Sequence, residues 1–328
     1  MDGYRFQFNK EANRRKLDIY LTKPFWESDY DDLFSEDIVV DIPSAPPGMP
    51  QHFDAFDYRQ YRQWLRRTVR NAVSVVQEAY GTPDPNVFWG IRDVEADVDW
   101  GRQPGKFSSR IFCRVEFHLG KIHYLTLSWN PLNFLKAIGA EVPIFRMDLY
   151  DARIEEYLRK RSAPAHGQTE KSALDSSPEA VQKRIRHNLE AFMRPGYWDA
   201  VSTMASYAPG YTSKVWFLPP EMQESYPPEQ MARVEAWSAL SCPDIDFDEA
   251  GRYWATDDPQ VYFCEYMCTG IVDWIGNQTP GAHYRNRYFY VLRFDELGRI
   301  RSCEEILNPV NKFNSIGVSI PTFPYYFK

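Results

Sequence analysis

The spacing of apolar positions predicts helices at the start of the second half of the chain. Residues 177–193 (SPEAVQKRIRHNLEAFM) predict a helix, because Ser177 suits the N-cap and Pro178 the first helical turn. Residues 229–240 predict a second helix, since their apolar side chains recur on one face. The intervening stretch 207–228 is rich in Pro and Gly and is predicted to be mostly loop.

Long strands are predicted after these helices. Residues 261–274 and 283–294 are rich in β-branched and aromatic side chains, and residues 299–308 form the last strand. Helices followed by a meander of strands are an α+β pattern. We expect a curved antiparallel sheet whose concave face packs on the helices.

The chain also contains its own sequence twice. Residues 130–145 read NPLNFLKAIGAEVPIF and residues 308–323 read NPVNKFNSIGVSIPTF. Seven positions are identical, where chance gives roughly one. A repeat at this offset is too long for a solenoid and indicates a duplicated domain. The predicted domains are residues 1–160 and 177–328, joined by a small, polar linker at 161–176.

Composition excludes several classes of protein. The 328 residues are 44% hydrophobic and carry a net charge of -7, which argues against nucleic-acid binding. We expect no membrane helix or signal peptide, and therefore a cytoplasmic protein. The five cysteines are expected to be reduced, and Cys264 and Cys268 lack the partners of a zinc site. We expect neither a metal nor a cofactor.

Five segments of the second copy carry a family resemblance. They are WSALSCPD (237–244), DDPQVYFCE (257–265), PGAHYRNRYF (280–289), GRIRSCEEILNP (298–309) and SIGVSIP (315–321). Together they resemble the phenazine-biosynthesis A/B family, a SnoaL-like branch of the nuclear-transport-factor-2-like superfamily. The first copy resembles this family more faintly.

The resemblance implies two tandem cone-shaped α+β domains, each with a pocket between sheet and helices. Family members pair back to back, so the two copies are expected to form a pseudo-dimer within one chain, with a further homodimer left open. Members bind small organic molecules without a cofactor and promote condensation by acid/base chemistry. The family's proton-transferring glutamate falls on Glu305, its assisting tyrosine on Tyr284 and its serine on Ser238. The family histidine falls on Val234, and the family's basic residue has no match in the loop after Trp198.

Strand alternation places the predicted catalytic groups on two stripes. Glu305 shares a face with Cys303, and Tyr284 shares one with Asn286. If both stripes line the pocket, desolvation raises the pKa of the Glu305 carboxyl and suits it to proton transfer. Tyr284 and Asn286 would then polarise a substrate carbonyl. The alternative is that Glu305 pairs with Arg301 or Arg287 on the outer face.

Further candidates line the predicted pocket as substrate-binding residues. They are Trp237, Ser238, His283, Tyr288, Tyr290 and Cys303. Core packing is the favoured explanation of Trp237 and a helix hydroxyl that of Ser238, with a pocket role second for both. His283 is expected at the strand mouth, where a functional role is the less favoured explanation. A small hydrophobic or aromatic carbonyl compound is the expected partner.

The first copy differs at the catalytic positions. Leu127 replaces Glu305, and Phe107 replaces Tyr284. His123 is the polar exception on that face, and a core or rim role is expected for it. The second copy is therefore predicted to be catalytic and the first to be a structural half.

These observations predict a cofactor-independent cyclase of specialised metabolism. It would close a ring in a reactive carbonyl intermediate, with dehydration or tautomerisation. Two substrates are left open: an indolic polyketide that closes to a carbazole, and a phenazine-type precursor. The absence of the family histidine and of the family's basic residue favours the indolic polyketide. The alternatives are a non-catalytic protein that holds a labile metabolite and an isomerase on the same fold.

Overall fold

The computed structural model describes residues 2–145, 151–160, 174–193, 207–219, 225–226, 228–247 and 251–325. The chain divides into two compact units: Met1–Pro143 with Asn308–Val310 and Ile320–Lys328, and Ile144–Leu307 with Asn311–Ser319. The last residues of the second copy, 320–328, thus belong to the first unit. The residues that end the first copy, from Ile144 to the linker, belong to the second unit. Most of the predicted linker, like Trp198, lies outside the described residues, and the predicted domain boundaries stay predictions.

The first unit contains three helices and one sheet. In chain order it comprises α1 (Asp2–Thr22), a 3-10 turn (Ser28–Leu33), β1 (Phe34–Asp41), β2 (His52–Phe53), α2 (Ala55–Thr68), β3 (Val69–Gly81), β4 (Val87–Val98), β5 (Gly105–His118), β6 (Lys121–Trp129) and α3 (Pro131–Ala137). Its six strands lie in the order β2-β1-β6-β5-β4-β3.

The second unit repeats this plan with shorter outer strands. It comprises α4 (Asp151–Lys160), α5 (Pro178–Phe192), β7 (Tyr207–Val215), β8 (Ser225–Tyr226), α6 (Pro228–Ser241), β9 (Asp246–Phe247), β10 (Arg252–Ala255), β11 (Val261–Val272), β12 (Ala282–Phe294), β13 (Ile300–Ile306) and α7 (Pro309–Ser315), whose first two residues fall in the first unit. The sheet order is β10-β11-β12-β13-β7-β8, and β9 pairs with β11.

Each sheet is mixed rather than wholly antiparallel. β1 runs parallel to β6, and β7 runs parallel to β13, whereas the other pairs are antiparallel. The predicted antiparallel meander is correct for the long consecutive strands β11, β12 and β13. It missed the parallel pairs because β1 and β7 come early in each copy and lie beside the last strand. Two units of helix and sheet confirm the predicted α+β class.

Local sequence explains the helices of the second unit. The Ser177 hydroxyl accepts a hydrogen bond from the Ala180 amide, and Pro178 occupies the first turn of α5. The helix buries Ile185 and Phe192 on one face. The predicted helices of the second copy are confirmed, but the predicted loop at 207–228 contains β7.

The strand register fixes which side chains share a face. Tyr290 of β12 lies opposite Glu305 of β13 and opposite Cys264 of β11. The ring of Phe192 on α5 meets Tyr290 edge-on, with 5.0 Å between ring centroids. The face that carries Glu305 therefore packs against a helix, as a buried face requires.

Candidate active site

Glu305 lies in the middle of the helix-packed face of the second sheet. Glu305 lies opposite Tyr290 on β12 and opposite Val215 on β7. The backbone carbonyl oxygen of Glu305 accepts a hydrogen bond from the Trp216 amide at 2.9 Å. The side chain is only partly accessible. Burial raises the pKa of its carboxyl to about 7, while the charge of Lys312 and a hydrogen bond from Tyr290 act in the opposite direction.

On the outer face of β13, the ion pair is made by Glu304 and not by Glu305. Glu304 pairs with Arg293 at 2.6 Å and accepts a hydrogen bond from the Trp216 indole at 2.5 Å. Arg287, one of the alternative partners for Glu305, lies 3.5 Å from Glu265. The alternation of β13 thus separates a structural carboxylate, Glu304, from the carboxyl that faces the helices.

Lys312 is the residue that the sequence reasoning missed. It lies on α7 with 4% of its surface exposed, and its ammonium is 3.9 Å from the ring centroid of Trp274. Burial lowers the pKa of this amine, and the charge of Glu305 counteracts that change. The repeated sequence could have indicated this residue. The motif NPVNKF of the second copy has Lys312 at the position where NPLNFL of the first copy has Phe134. A charged residue that replaces a buried aromatic one has a reason other than packing.

Two tyrosines link Glu305 to the next strand. Tyr266 on β11 donates its hydroxyl to Tyr290 at 2.7 Å, and the Tyr290 hydroxyl bonds the Glu305 carboxyl. The two rings stack with centroids 5.4 Å apart. This chain of hydroxyls stabilises the ionised form of Glu305 and offers a path for its proton.

A second network holds Tyr284. The Asn286 amide nitrogen donates to the Tyr284 hydroxyl at 2.7 Å, and the Tyr288 hydroxyl lies 2.7 Å from the same oxygen. The Asn286 carbonyl oxygen accepts from Asn311 at 3.2 Å. Tyr284 and Asn286 are both buried. The Asn286 amide therefore contacts the Tyr284 hydroxyl, and the substrate contact predicted for Asn286 stays a prediction.

Most of the other predicted site residues lie on the same face of the second sheet as Glu305 and Tyr284 or on helix α6, and one does not. Trp237 stacks on Trp274 with centroids 5.3 Å apart, and Ser238 beside it is partly accessible. Cys303 is buried on the Glu305 face. His283 is exposed on the opposite face of β12. The structure therefore does not bring His283 together with Glu305 and Tyr284.

The first unit has no titratable residue at the positions equivalent to Glu305, Tyr284 and Lys312. Leu127 lies opposite Cys113, as Glu305 lies opposite Tyr290, so the equivalence found in the sequence holds in the sheet. Trp64 and Trp100 form a stack like that of Trp237 and Trp274, with centroids 5.5 Å apart.

Phe134 closes this stack in the first unit. Its ring lies parallel to Trp100 at 4.8 Å, in the place where Lys312 lies over Trp274. A cavity of about 50 Å³ remains, lined by side chains that include Trp100, Phe107 and Leu127. A benzene-sized cavity needs roughly 150 Å³. His123 is half-buried and pairs with Asp37 at 3.2 Å, as a rim residue would.

Known proteins resemble the part of the chain that carries this cluster. Residues 225–324 match the model of the family described as phenazine biosynthesis protein A/B. The resemblance predicted from the sequence is confirmed. The phenazine biosynthesis proteins PhzA1 and PhzA2 of Pseudomonas aeruginosa are each 26% identical over 93 residues, which is 28% of this chain and 55% of theirs. The chain therefore spans about half the length of these curated relatives.

Solved structures with similar folds cover less than half of the chain. The phenazine biosynthesis-related protein phzb2 of Pseudomonas aeruginosa is 18% identical, with a TM-score of 0.40 over 44% of this chain and 96% of its own. An NTF2-like protein of Burkholderia xenovorans LB400 is 14% identical, with a TM-score of 0.32 over 42% of this chain and 95% of its own.

The structure also answers questions about membranes and metals. No helix among the described residues is long and apolar enough to cross a membrane. Within the same residues, no three His, Cys, Asp or Glu side chains are grouped as metal ligands. All five cysteines are buried free thiols.

Proposed function

We propose that the second unit is a cofactor-independent acid/base cyclase of specialised metabolism. It would close a ring in a reactive carbonyl compound, with loss of water or tautomerisation. The observation that carries this proposal is the pair Glu305 and Lys312. Both are charged groups withdrawn from water, they lie close enough to shift each other's pKa, and the first unit replaces both with Leu127 and Phe134. A fold that needs neither group for stability retains them in one copy for chemistry.

Glu305 is the proposed base and acid. A carboxyl with a pKa of about 7 exists in both forms near neutral pH, so it can take a proton from the carbon beside a carbonyl and return it elsewhere. Tyr290 and Tyr266 connect it to a path along which that proton moves.

Tyr284 is the proposed donor to the substrate carbonyl. Asn286 donates to its oxygen, and either hydroxyl of the Tyr284–Tyr288 pair can donate to the other. With Tyr288 as the donor, the Tyr284 proton is free for the substrate oxygen. As the carbonyl becomes an enolate, this hydrogen bond strengthens. Asn286 acts as a positioning residue for Tyr284.

The walls of the site favour a flat aromatic substrate. The support for this proposal is the aromatic content around Glu305. Tyr288 and Tyr290 lie parallel with centroids 6.1 Å apart, and Trp237 stacks on Trp274, all three being buried. The missing basic residue was one argument for a carbazole over a phenazine-type precursor. Lys312 supplies a basic residue near Glu305 and removes that argument. The relatives' names now favour a phenazine-type precursor, whereas the loss of the family histidine at Val234 favours a carbazole.

The test is deuterium exchange at the carbon beside the carbonyl of 2-tetralone, followed by NMR in D₂O. The wild-type protein should accelerate the exchange, and Glu305→Gln should slow it by ~10²–10⁴-fold. Glu304→Gln is the matched control, because Glu304 faces the other side of the same strand, and it should keep the wild-type rate. Binding of 2-tetralone with no accelerated exchange in the wild type would instead identify a carrier of labile metabolites.

A further inference from the structure

The ammonium group of Lys312 has no hydrogen-bond acceptor among the residues that the structure describes. Its surroundings are rings: Trp274 at 3.9 Å, Trp237 at 5.6 Å and Tyr284 at 5.8 Å from Nζ to the centroid. A charged lysine in such a place loses its hydration and gains only the attraction of the ring faces. Burial without an acceptor therefore favours the neutral amine, which is a nucleophile.

Four titratable groups surround this amine. They are Glu305 on β13, Cys268 on β11, Cys242 after α6, and Tyr284 on β12. Burial raises the pKa of both thiols and of Tyr284, so these three are neutral near neutral pH. Glu305 is thus the one of the four whose charge changes there, and the amine and the carboxyl can exchange roles as base and acid.

We propose that the neutral amine of Lys312 attacks the carbonyl carbon of a ketone or aldehyde substrate and forms a covalent iminium ion. This inference rests on the proposed function and names its substrate class. One C–N bond forms, the C–O bond breaks, and the carbonyl oxygen leaves as water after accepting protons from the amine and from the Glu305 carboxyl. No oxidant or reductant is consumed.

The iminium ion explains why a base lies beside the lysine. The positive nitrogen acidifies the neighbouring C–H bond, and ionised Glu305 removes that proton to give an enamine. The enamine carbon attacks a second carbonyl carbon of the same substrate and closes the ring. The π bond of that carbonyl breaks, and its oxygen takes the proton that Glu305 removed. This attack regenerates the iminium ion, and water then adds to it, returns a proton to Glu305 and restores the Lys312 amine and the product carbonyl. The aromatic rings around Nζ shield the iminium ion from early hydrolysis.

The first unit supports a chemical reason for this lysine. Phe134 fills the equivalent place and stacks on Trp100, so an aromatic side chain satisfies the fold there. The lysine is therefore an addition to a position that packs well without it. Lys312→Phe should fold for the same reason.

Acetylacetone is the probe that tests the inference. It condenses with a neutral lysine amine to give an enaminone that absorbs in the near ultraviolet, with release of one water. The wild type should form one adduct per chain at neutral pH, and peptide mass spectrometry should place it on Lys312. Lys312→Arg keeps a long basic side chain but lacks the nucleophilic amine, so it should form no adduct there. Its 2-tetralone exchange should fall at least as far as that of Glu305→Gln.

A second measurement avoids variants altogether. Sodium borohydride added to the wild type with 2-tetralone should reduce the iminium ion to a stable secondary amine on Lys312. Failure to label Lys312 by either route overturns the inference, as does full exchange activity in Lys312→Arg. In that event a Glu305-dependent exchange would leave the proposed function standing, because it does not require the covalent step.

Discussion

The proposed chemistry of the second unit depends on opposing influences upon single side chains. Burial favours the neutral form of Glu305, whereas Lys312 and the Tyr290 hydroxyl favour the carboxylate. The balance leaves the pKa of Glu305 at about 7, far from the ordinary value of a glutamate. A small change in any of these neighbours therefore alters the fraction of active base at neutral pH.

The pH dependence of exchange provides a test at this scale. Ionised Glu305 is the base, so the wild-type rate should rise with pH and level off above about 7. Tyr290→Phe removes a hydrogen bond that favours the carboxylate, so the midpoint of the rise should move to higher pH. Tyr266→Phe removes a more distant hydroxyl and should move it less.

Tyr253→Phe is the control for these two changes, because Tyr253 is exposed on the edge strand β10. Its profile should coincide with that of the wild type. A Tyr290→Phe profile that moves to lower pH, or does not move, would show that this hydroxyl does not stabilise the ionised Glu305.

The sequence was sufficient for some of these residues and not for others. Alternation along β13 and the family resemblance together indicated Glu305, and alternation along β12 indicated Tyr284 and Tyr290. Lys312 was overlooked because a lysine in a short helix is normally exposed. The contacts of Asn286 could not be predicted, since they include Asn311 on another element.

At the scale of elements, the long strands were predictable and the short outer strands were not. β11 and β12 are rich in aromatic and β-branched residues and contain no proline. β7 contains Pro209 and Gly210, which are typical of turns, and Gly210 has a φ of +78°. The register with β13 shifts at this point, so the strand accommodates both residues as an irregularity. Local composition therefore predicted a loop where the sheet contains a strand.

The closing segment of the chain gives a prediction at the element scale. Phe323 is buried in the first unit, where its ring meets Trp64, Trp100 and Phe134 edge-on. Its amide donates to the Pro47 carbonyl at 2.6 Å. Phe323→Ala should lower the free energy of unfolding of this unit by ~3–5 kcal/mol, because it removes a buried aromatic ring.

Urea unfolding followed by tryptophan fluorescence measures this loss, since Trp64 and Trp100 lie within the cluster. Thr322→Ala is the matched control, because the adjacent Thr322 is exposed. It should change the free energy of unfolding by no more than ~0.5 kcal/mol. Equal losses in the two variants would mean that backbone contacts, and not the Phe323 ring, hold the segment.

At the scale of the whole molecule, the proposed function assigns stability to the first unit and catalysis to the second. The first unit fills its interior with the stacked rings of Trp64, Trp100 and Phe134 and retains a small cavity. The second unit places titratable groups in the equivalent region, where each one incurs a desolvation cost. A single-copy protein would have to satisfy both demands in one interior.

This separation predicts opposite effects of two equivalent substitutions. Leu127→Ala should lower the free energy of unfolding of the first unit by ~2–5 kcal/mol, because Leu127 is 1% exposed and truncation leaves a cavity. At a temperature where the variant stays folded, its 2-tetralone exchange rate should equal that of the wild type. Glu305→Gln should slow the exchange by ~10²–10⁴-fold while the protein remains folded. Urea unfolding and NMR exchange on the same samples measure both quantities. Loss of exchange in folded Leu127→Ala, with activity retained in Glu305→Gln, would assign the chemistry to the first unit instead.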